Sequence, residues 1–470
     1  MFFLFLYIIF SILLSRSILK SNIFNLASIA LISYWAAYPF EKLGINGNYE
    51  IYEIVEGIKV KGLYMYAIFG FSFLLGAFCI SKINIKKINF YPKLNTKNDL
   101  FFISIVLGVL GLFCFSNTYN FDIRTYIDFI LNSSRGERMA ILSKAKNALP
   151  YSIFFIPSIT TLLIAIRKFG LKNKNNLFLS LIIFLINIPI LFSYILEGER
   201  TSLIKFIVVI IFTLGLTKYS VEKTNKKTYL IENWKVNKSV LKNRLKMTII
   251  LISLFCMLSF IGHARGKNWK QFSRIFIDLS IELKQKMLPT GEFRGVNYTI
   301  DYSLARNYLN IEKTQTMFTW DKFIFYPLPT YVYKGIFKKV KPPNIGDAIA
   351  NETKNYIYGP ENNEKLGFAL SPIAEGLINF GIFGVFLNGF IYGVSINLIQ
   401  YFYNKISLER INLLDIFVLN TTAMVPLIMR AGSAGIYNWI FSTSFVILLP
   451  LLLLEIFQKR NLIQIIKKNR

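Results

Sequence analysis

The sequence predicts an all-α polytopic integral membrane protein with about eleven transmembrane helices and one long extracytoplasmic loop, and three observations lead to that class. The 470 residues are 54% hydrophobic and only 17% charged, with positive mean hydropathy, outside the range of soluble domains. Apolar runs such as Leu177 to Tyr194 approach the roughly 20 residues a helix needs to cross about 30 Å of hydrocarbon. No segment alternates apolar and polar residues at period two, so these runs read as helices and not as barrel strands.

Taken in order, the apolar runs place spans near 2–14, 23–39, 62–80, 100–116, 148–166, 177–195, 201–217, 247–262, 377–402, 411–429 and 436–457. Lysine and arginine in the short connections orient them. Alternate connections hold the excess: Arg16 and Lys20, Lys82 to Lys97, Arg167 to Lys174, the basic loop 218–246, Lys405 and Arg410, and the tail from Lys459. These are expected to be cytoplasmic, with the N-terminus outside and the C-terminus inside. The chain then reads as a single membrane domain, 1–470. Its loop 263–368 joins the eighth and ninth spans on the outer face, beyond the roughly 60 residues to which the charge rule applies. The apolar start from Phe2 to Leu14 has neither a charged n-region before it nor a small-residue cleavage site after it, so no cleavable signal is expected.

The formal net charge of +28 sits mostly in connections, without an arginine-rich helix or ribonucleoprotein motif, which argues against nucleic acid as a partner. Cys79, Cys114 and Cys256 lie in apolar runs without CxxC spacing, pointing to neither a metal nor a disulfide frame. No phosphate-binding glycine loop, dinucleotide fingerprint or HExxH is present, so no cofactor is expected. No internal repeat supports an inverted-repeat transporter.

Ionisable residues at the outer boundary are the candidates for chemistry, because each needs a partner or a ligand near hydrocarbon. Arg200 ends the turn Glu197-Gly198-Glu199 and opens the seventh span; Arg265 closes the eighth; Arg430 closes the tenth before Ala431-Gly432. Arginine's planar fork suits phosphate oxygens, so three of them converging would make a pyrophosphate site. The alternative is that each snorkels to the interface or pairs with a glutamate. Arg138, and Arg135 beside it, offer a further phosphate contact from the loop 117–147. Ser371-Pro372 predicts an N-cap followed by proline at the first helical position, placing Glu375 one turn in. Glu375 then either complements the helix end and an arginine, or acts directly as a catalytic carboxylate. His263, the only histidine, has an ordinary pKa suited to a general base, although a lone histidine at a helix end is more often an interface residue. The long loop is rich in aromatics, among them Trp269, Tyr298, Tyr302, Trp320 and Tyr326, which could stack on sugars or lie on the membrane surface.

Together, Glu199 to Thr201 before a span, Tyr326-Pro327-Leu328-Pro329 in a long outer loop, and Gly367 to Gly384 resemble the oligosaccharide repeat-unit polymerases of bacterial surface polysaccharide synthesis. These are the Wzy-type O-antigen and enterobacterial common antigen polymerases, and Phe368-Ala369-Leu370-Ser371-Pro372 is similar to the common-antigen branch. The motif-level likeness covers about a tenth of the chain. The turn at Glu197-Gly198-Glu199 has less glycine than is usual in the family. The resemblance implies a GT-C-like glycosyltransferase of the bacterial inner membrane that needs no cofactor. It would join undecaprenyl-pyrophosphate-linked glycans on the periplasmic face, beside a flippase and a chain-length regulator. Arg200, Arg265, Arg430 and Arg138 would hold the pyrophosphate, and Glu375 or His263 would serve as base. The competing expectations are an O-antigen ligase, and a flippase or secondary transporter, which would show an internal repeat or helices broken within the membrane.

Overall fold

The computed structural model describes residues 30, 58–81, 97–119, 121–122, 124, 126–127, 151–171, 173–196, 200–225, 296, 299–305, 335, 338, 370–408, 411–429, 432, 436–437 and 439–450, most of them helical. The chain divides into two units. The first comprises Met1–Ile88, Leu288–Tyr403 and Met424–Ser442; the second comprises Asn89–Met287, Asn404–Ala423 and Thr443–Arg470. Among the described residues, five helices are long and apolar enough to cross a membrane, so the protein is a helical membrane protein. The expected first, second and eighth spans lie outside the described residues, apart from Ala30, as does the basic loop 226–246.

In the second unit the helices are α2 (Lys97–Thr118), α3 (Ser152–Phe169), α4 (Lys174–Leu196), α5 (Arg200–Asn225) and α7 (Leu413–Thr422). Charge and glycine mark two of their ends. Asp99 lies in the first turn of α2, where a carboxylate complements the positive helix end. Arg167 and Lys168 occupy the last turn of α3, and Gly170, at φ 71°, closes it by donating its N–H to the Ile166 carbonyl. The interior of this unit is joined by small polar side chains. Ser104 and Ser158 each donate a hydroxyl to the other's carbonyl, at 2.7 and 2.8 Å. Asn187 of α4 donates to the Ser158 hydroxyl and to the Ile183 carbonyl. Residue 104 thus faces 158, while a Cβ on Gly111 would touch Phe154, so α2 and α3 run antiparallel. Such bonds satisfy buried donors and hold helices together where hydrocarbon outside is as apolar as the interface.

The first unit pairs α1 (Ile58–Ser81) with the helical stretch α6 (Pro372–Tyr403). Gly389 packs on Phe69 and Ser72, Gly393 on Phe73, and Gly76 on Phe390 and Val394; Asn397 donates its amide to the Ala77 carbonyl at 2.7 Å. The contacts climb together along both helices, so α1 and this part of α6 are parallel. A Cβ at Gly393 would run into the Phe73 carbonyl oxygen, which explains a glycine there.

Three expectations change. The ninth span is not a single helix from 377: α6 starts at Pro372 and breaks at Phe380 (φ −140°, ψ 17°) and Gly381 (φ 62°, ψ −142°). The tenth span, expected over 411–429, is helical only to Thr422 and resumes as a 3₁₀ turn, Val425–Leu427. Proline at 426 cannot donate to the Thr422 carbonyl, and the Thr421 and Thr422 hydroxyls bond back to the carbonyls of Phe417 and Leu419. Finally, the piece of the long loop at 299–305 is helical and buried throughout, so this part is core and not surface. The eleventh expected span is described as the apolar helix Trp439–Pro450, α8.

Replacing Gly393 by valine is expected to cost about 1–3 kcal/mol or more through overpacking against the Phe73 carbonyl. Gly335→Ala, with open space around the glycine, should be neutral. Unfolding midpoints in a denaturing detergent titration measure both.

Candidate functional site

The break in α6 reverses the chain. A Cβ on Gly376 would lie 2.6 Å from the Gly384 carbonyl carbon, and the Asn388 amide donates to the Pro372 carbonyl at 2.9 Å. In a continuous helix residues 372 and 388 would stand about 24 Å apart at 1.5 Å per residue. The contacts pair 376 with 384 and 372 with 388, which defines an antiparallel helical hairpin: a short arm (372–379), a turn at Phe380-Gly381 and a long arm (382–403). The combination φ 62°, ψ −142° is open essentially to glycine alone, and glycines 376 and 384 let the two backbones touch. Phe380, Ile382 and Phe383 at the tip are 52%, 59% and 67% exposed. The long arm still has the length to cross a membrane. The short arm therefore dips beside its first two turns, about 9 Å by helical rise, without crossing.

Glu375 sits in this short arm. Ser371 caps it as the sequence predicts, its hydroxyl accepting from the Ile373 N–H at 3.1 Å and its carbonyl from the Glu375 N–H at 2.9 Å. Glu375 is 3% exposed, with Ile373, Ala374 and Leu370 buried around it. Its side chain reaches the segment after the tenth span: a Cβ on Gly432 would lie 3.3 Å from Glu375 Oε2 and 2.9 Å from Leu370 Cδ2. Gly432 is thus a close-approach position against the carboxylate, two residues after Arg430 in the sequence. From the long arm, the buried Tyr392 lies within range of the Glu375 charge.

The other candidates are placed less fully. Arg200 is the first residue of α5, as expected for the residue opening the seventh span. Arg430, Arg265, His263, Arg135 and Arg138 lie outside the described residues. Arg124, in the same expected outer loop, is exposed, and its backbone N–H bonds to Asp122. Tyr302, considered for sugar stacking, is buried at 4% exposure and offers no open face. Among the described residues no group of three His, Cys, Asp or Glu side chains gathers to hold a metal ion.

Two residues were missed. Asp301, fully buried on the 299–305 turn, lies in the long polar loop, of which the sequence reading weighs only the aromatic residues. Val296, Ile300 and Leu304 at four-residue spacing carried a readable helical signal. Tyr392 gave none, being one aromatic within an apolar run.

The fold and this geometry define a class: a helical membrane protein whose dipping hairpin buries a carboxylate. No family model, curated protein or solved structure matches the chain.

Cysteines introduced by Pro372→Cys and Asn388→Cys, with Cys79, Cys114 and Cys256 removed, are expected to be joined by a short bifunctional thiol reagent. Failure to cross-link, read as an unchanged protease-fragment pattern on a gel, would refute the hairpin.

Proposed function

We propose that the protein is a membrane glycosyltransferase that polymerises undecaprenyl-pyrophosphate-linked oligosaccharide repeat units into a surface polysaccharide, with its site on the outer face of the bacterial inner membrane. The observation that supports this reading is the buried Glu375 against Gly432. In the sequence Gly432 lies two residues after Arg430, the arginine whose fork suits pyrophosphate. The sense of the helices agrees with it: the charge rule sends the third and ninth spans across in the same direction, and α1 and the long arm are parallel.

In this reading the arginines Arg200, Arg265 and Arg430, with Arg138, hold the pyrophosphate of the donor. The bond from the donor's anomeric carbon to the phosphate oxygen breaks, its electron pair leaving with the pyrophosphate, whose charge the guanidinium groups stabilise. An acceptor hydroxyl forms the new glycosidic bond and yields its proton to Glu375, with His263 as the other candidate base. The flippase and chain-length regulator are partners in the same reading.

A second reading has one observation of its own. A transporter of lipid-linked oligosaccharides is expected to have helices broken within the membrane, and both α6 and the segment 413–427 are interrupted. A strain lacking the gene separates the readings. Loss of the long-chain ladder with single repeat units still capping the core is the outcome for a polymerase. Loss of the single-unit band as well points to a transporter or ligase.

In a complemented strain Arg200→Ala and Arg430→Ala should each abolish the ladder at unchanged protein level. With purified enzyme and lipid-linked repeat units, Glu375→Gln is expected to slow chain extension by about 10²- to 10⁴-fold if Glu375 is the base. A His263→Gln variant with the same loss and a normal Glu375→Gln rate would move that role to the histidine.

A further inference from the structure

We infer that Tyr392 is a positioning residue for Glu375, its phenol donating to the carboxylate from beneath the short arm. Gly384 meets Gly376 and Asn388 bonds to the Pro372 carbonyl, so the face of the long arm turned to the short arm is fixed at these two positions. Tyr392 is the next residue on that face, one helical turn deeper. Aromatic side chains on a helix lean toward its N-terminus, which here is toward Glu375. Both groups are buried, at 6% and 3% exposure, and Tyr392 lies within range of the Glu375 charge. Phe69 of α1 holds the phenol ring edge-on at 6.1 Å, which limits its rotation. A carboxylate and a phenol buried separately would each be costly; as donor and acceptor they satisfy one another.

Other charged or titratable groups in the described part of this unit are Lys59, Lys61, Tyr64, Tyr66 and Cys79 on α1, Asp301 and Tyr302 on the turn 299–305, Lys338 further along the chain, Tyr401 and Tyr403 at the far end of the long arm, and Tyr437 after Gly432. None of them has the register of Tyr392 to the short arm.

This deepens the polymerase reading, in which Glu375 accepts a proton, but its test is independent of sugar chemistry. A hydrophobic carbodiimide reacts with protonated carboxyl groups, and mass spectrometry of the full-length protein in lipid nanodiscs reads adduct formation at Glu375. Tyr392→Phe removes only the donor, so at neutral pH Glu375 should be labelled several-fold faster than in the wild type. Incorporating 3,5-difluorotyrosine at position 392 strengthens the donor with little change of shape, and labelling should slow. Equal rates in all three proteins overturn the pairing, and the fluorinated protein decides the matter if Tyr392→Phe fails to fold. Loss of chain extension in Glu375→Gln together with equal labelling rates removes the pairing and leaves the polymerase reading. The opposite result, labelling that responds to Tyr392 with chain extension intact in Glu375→Gln, supports the pairing and removes the polymerase role of Glu375.

Discussion

Backbone groups in hydrocarbon must find their partners within the protein, and a chain that turns back inside a membrane protein can do so only where the reversal leaves few of them bare. The turn at Phe380-Gly381 meets this constraint in two residues, because glycine at 381 takes a backbone conformation closed to other residues. The arms on either side stay helical, and the Asn388 amide takes up the Pro372 carbonyl at the mouth of the short arm. Everything distinctive in the first unit follows from that reversal. It brings Gly376 against Gly384, lowers Glu375 beside the long arm and leaves Gly389 and Gly393 free to seat α1. A straight helix through the same residues would have carried Glu375 along the axis, away from the face it now shares with Tyr392.

The second unit meets the same constraint differently. Its polar side chains do the joining, through Ser104 with Ser158, Asn187 with Ser158, and Thr160 with Asn420. Asn412 and Asp415 begin α7 with a reciprocal capping box, each side chain accepting from the other's backbone. The buried Asp415 is thereby accounted for by its helix end. Glu375, by contrast, reaches across to a different segment of the chain at Gly432. That difference separates a carboxylate bonded at its own helix end from one that meets another segment of the chain.

Helix placement was legible where apolar runs are bounded by charge. The spans expected at 62–80, 100–116, 148–166 and 177–195 fall within α1 to α4, save for the few residues before Ser152, and Ser371 caps its helix as its sequence implies. The hairpin was not legible, because hydropathy sums composition and both arms are apolar; only the spaced glycines along the run hinted at more than a straight helix. The interruption after Thr422 was hidden in the same way, since threonine and proline cost little on a hydropathy scale yet end a helix. Of the candidate site, the burial of Glu375 and its approach to Gly432 depend on contacts between segments far apart in sequence. Residue order could name the carboxylate but not what it faces. Asp301 failed to register for the opposite reason: its turn is local, but a long polar loop around it masked the spacing.

The pairing of 372 with 388 and 376 with 384 also limits how this chain can change over time. One residue inserted into either arm between the turn and Glu375 or Tyr392 would rotate everything beyond it by about 100° and shift it by about 1.5 Å. The carboxylate would leave the face it shares with the phenol, although hydropathy and composition would hardly alter. Substitutions at the exposed tip, Ile382 and Phe383, leave that phase intact. The hairpin should therefore tolerate drift in side chains while resisting any change in length, so that spacing, more than residue identity, would be the trait by which distant descendants of this chain are recognised.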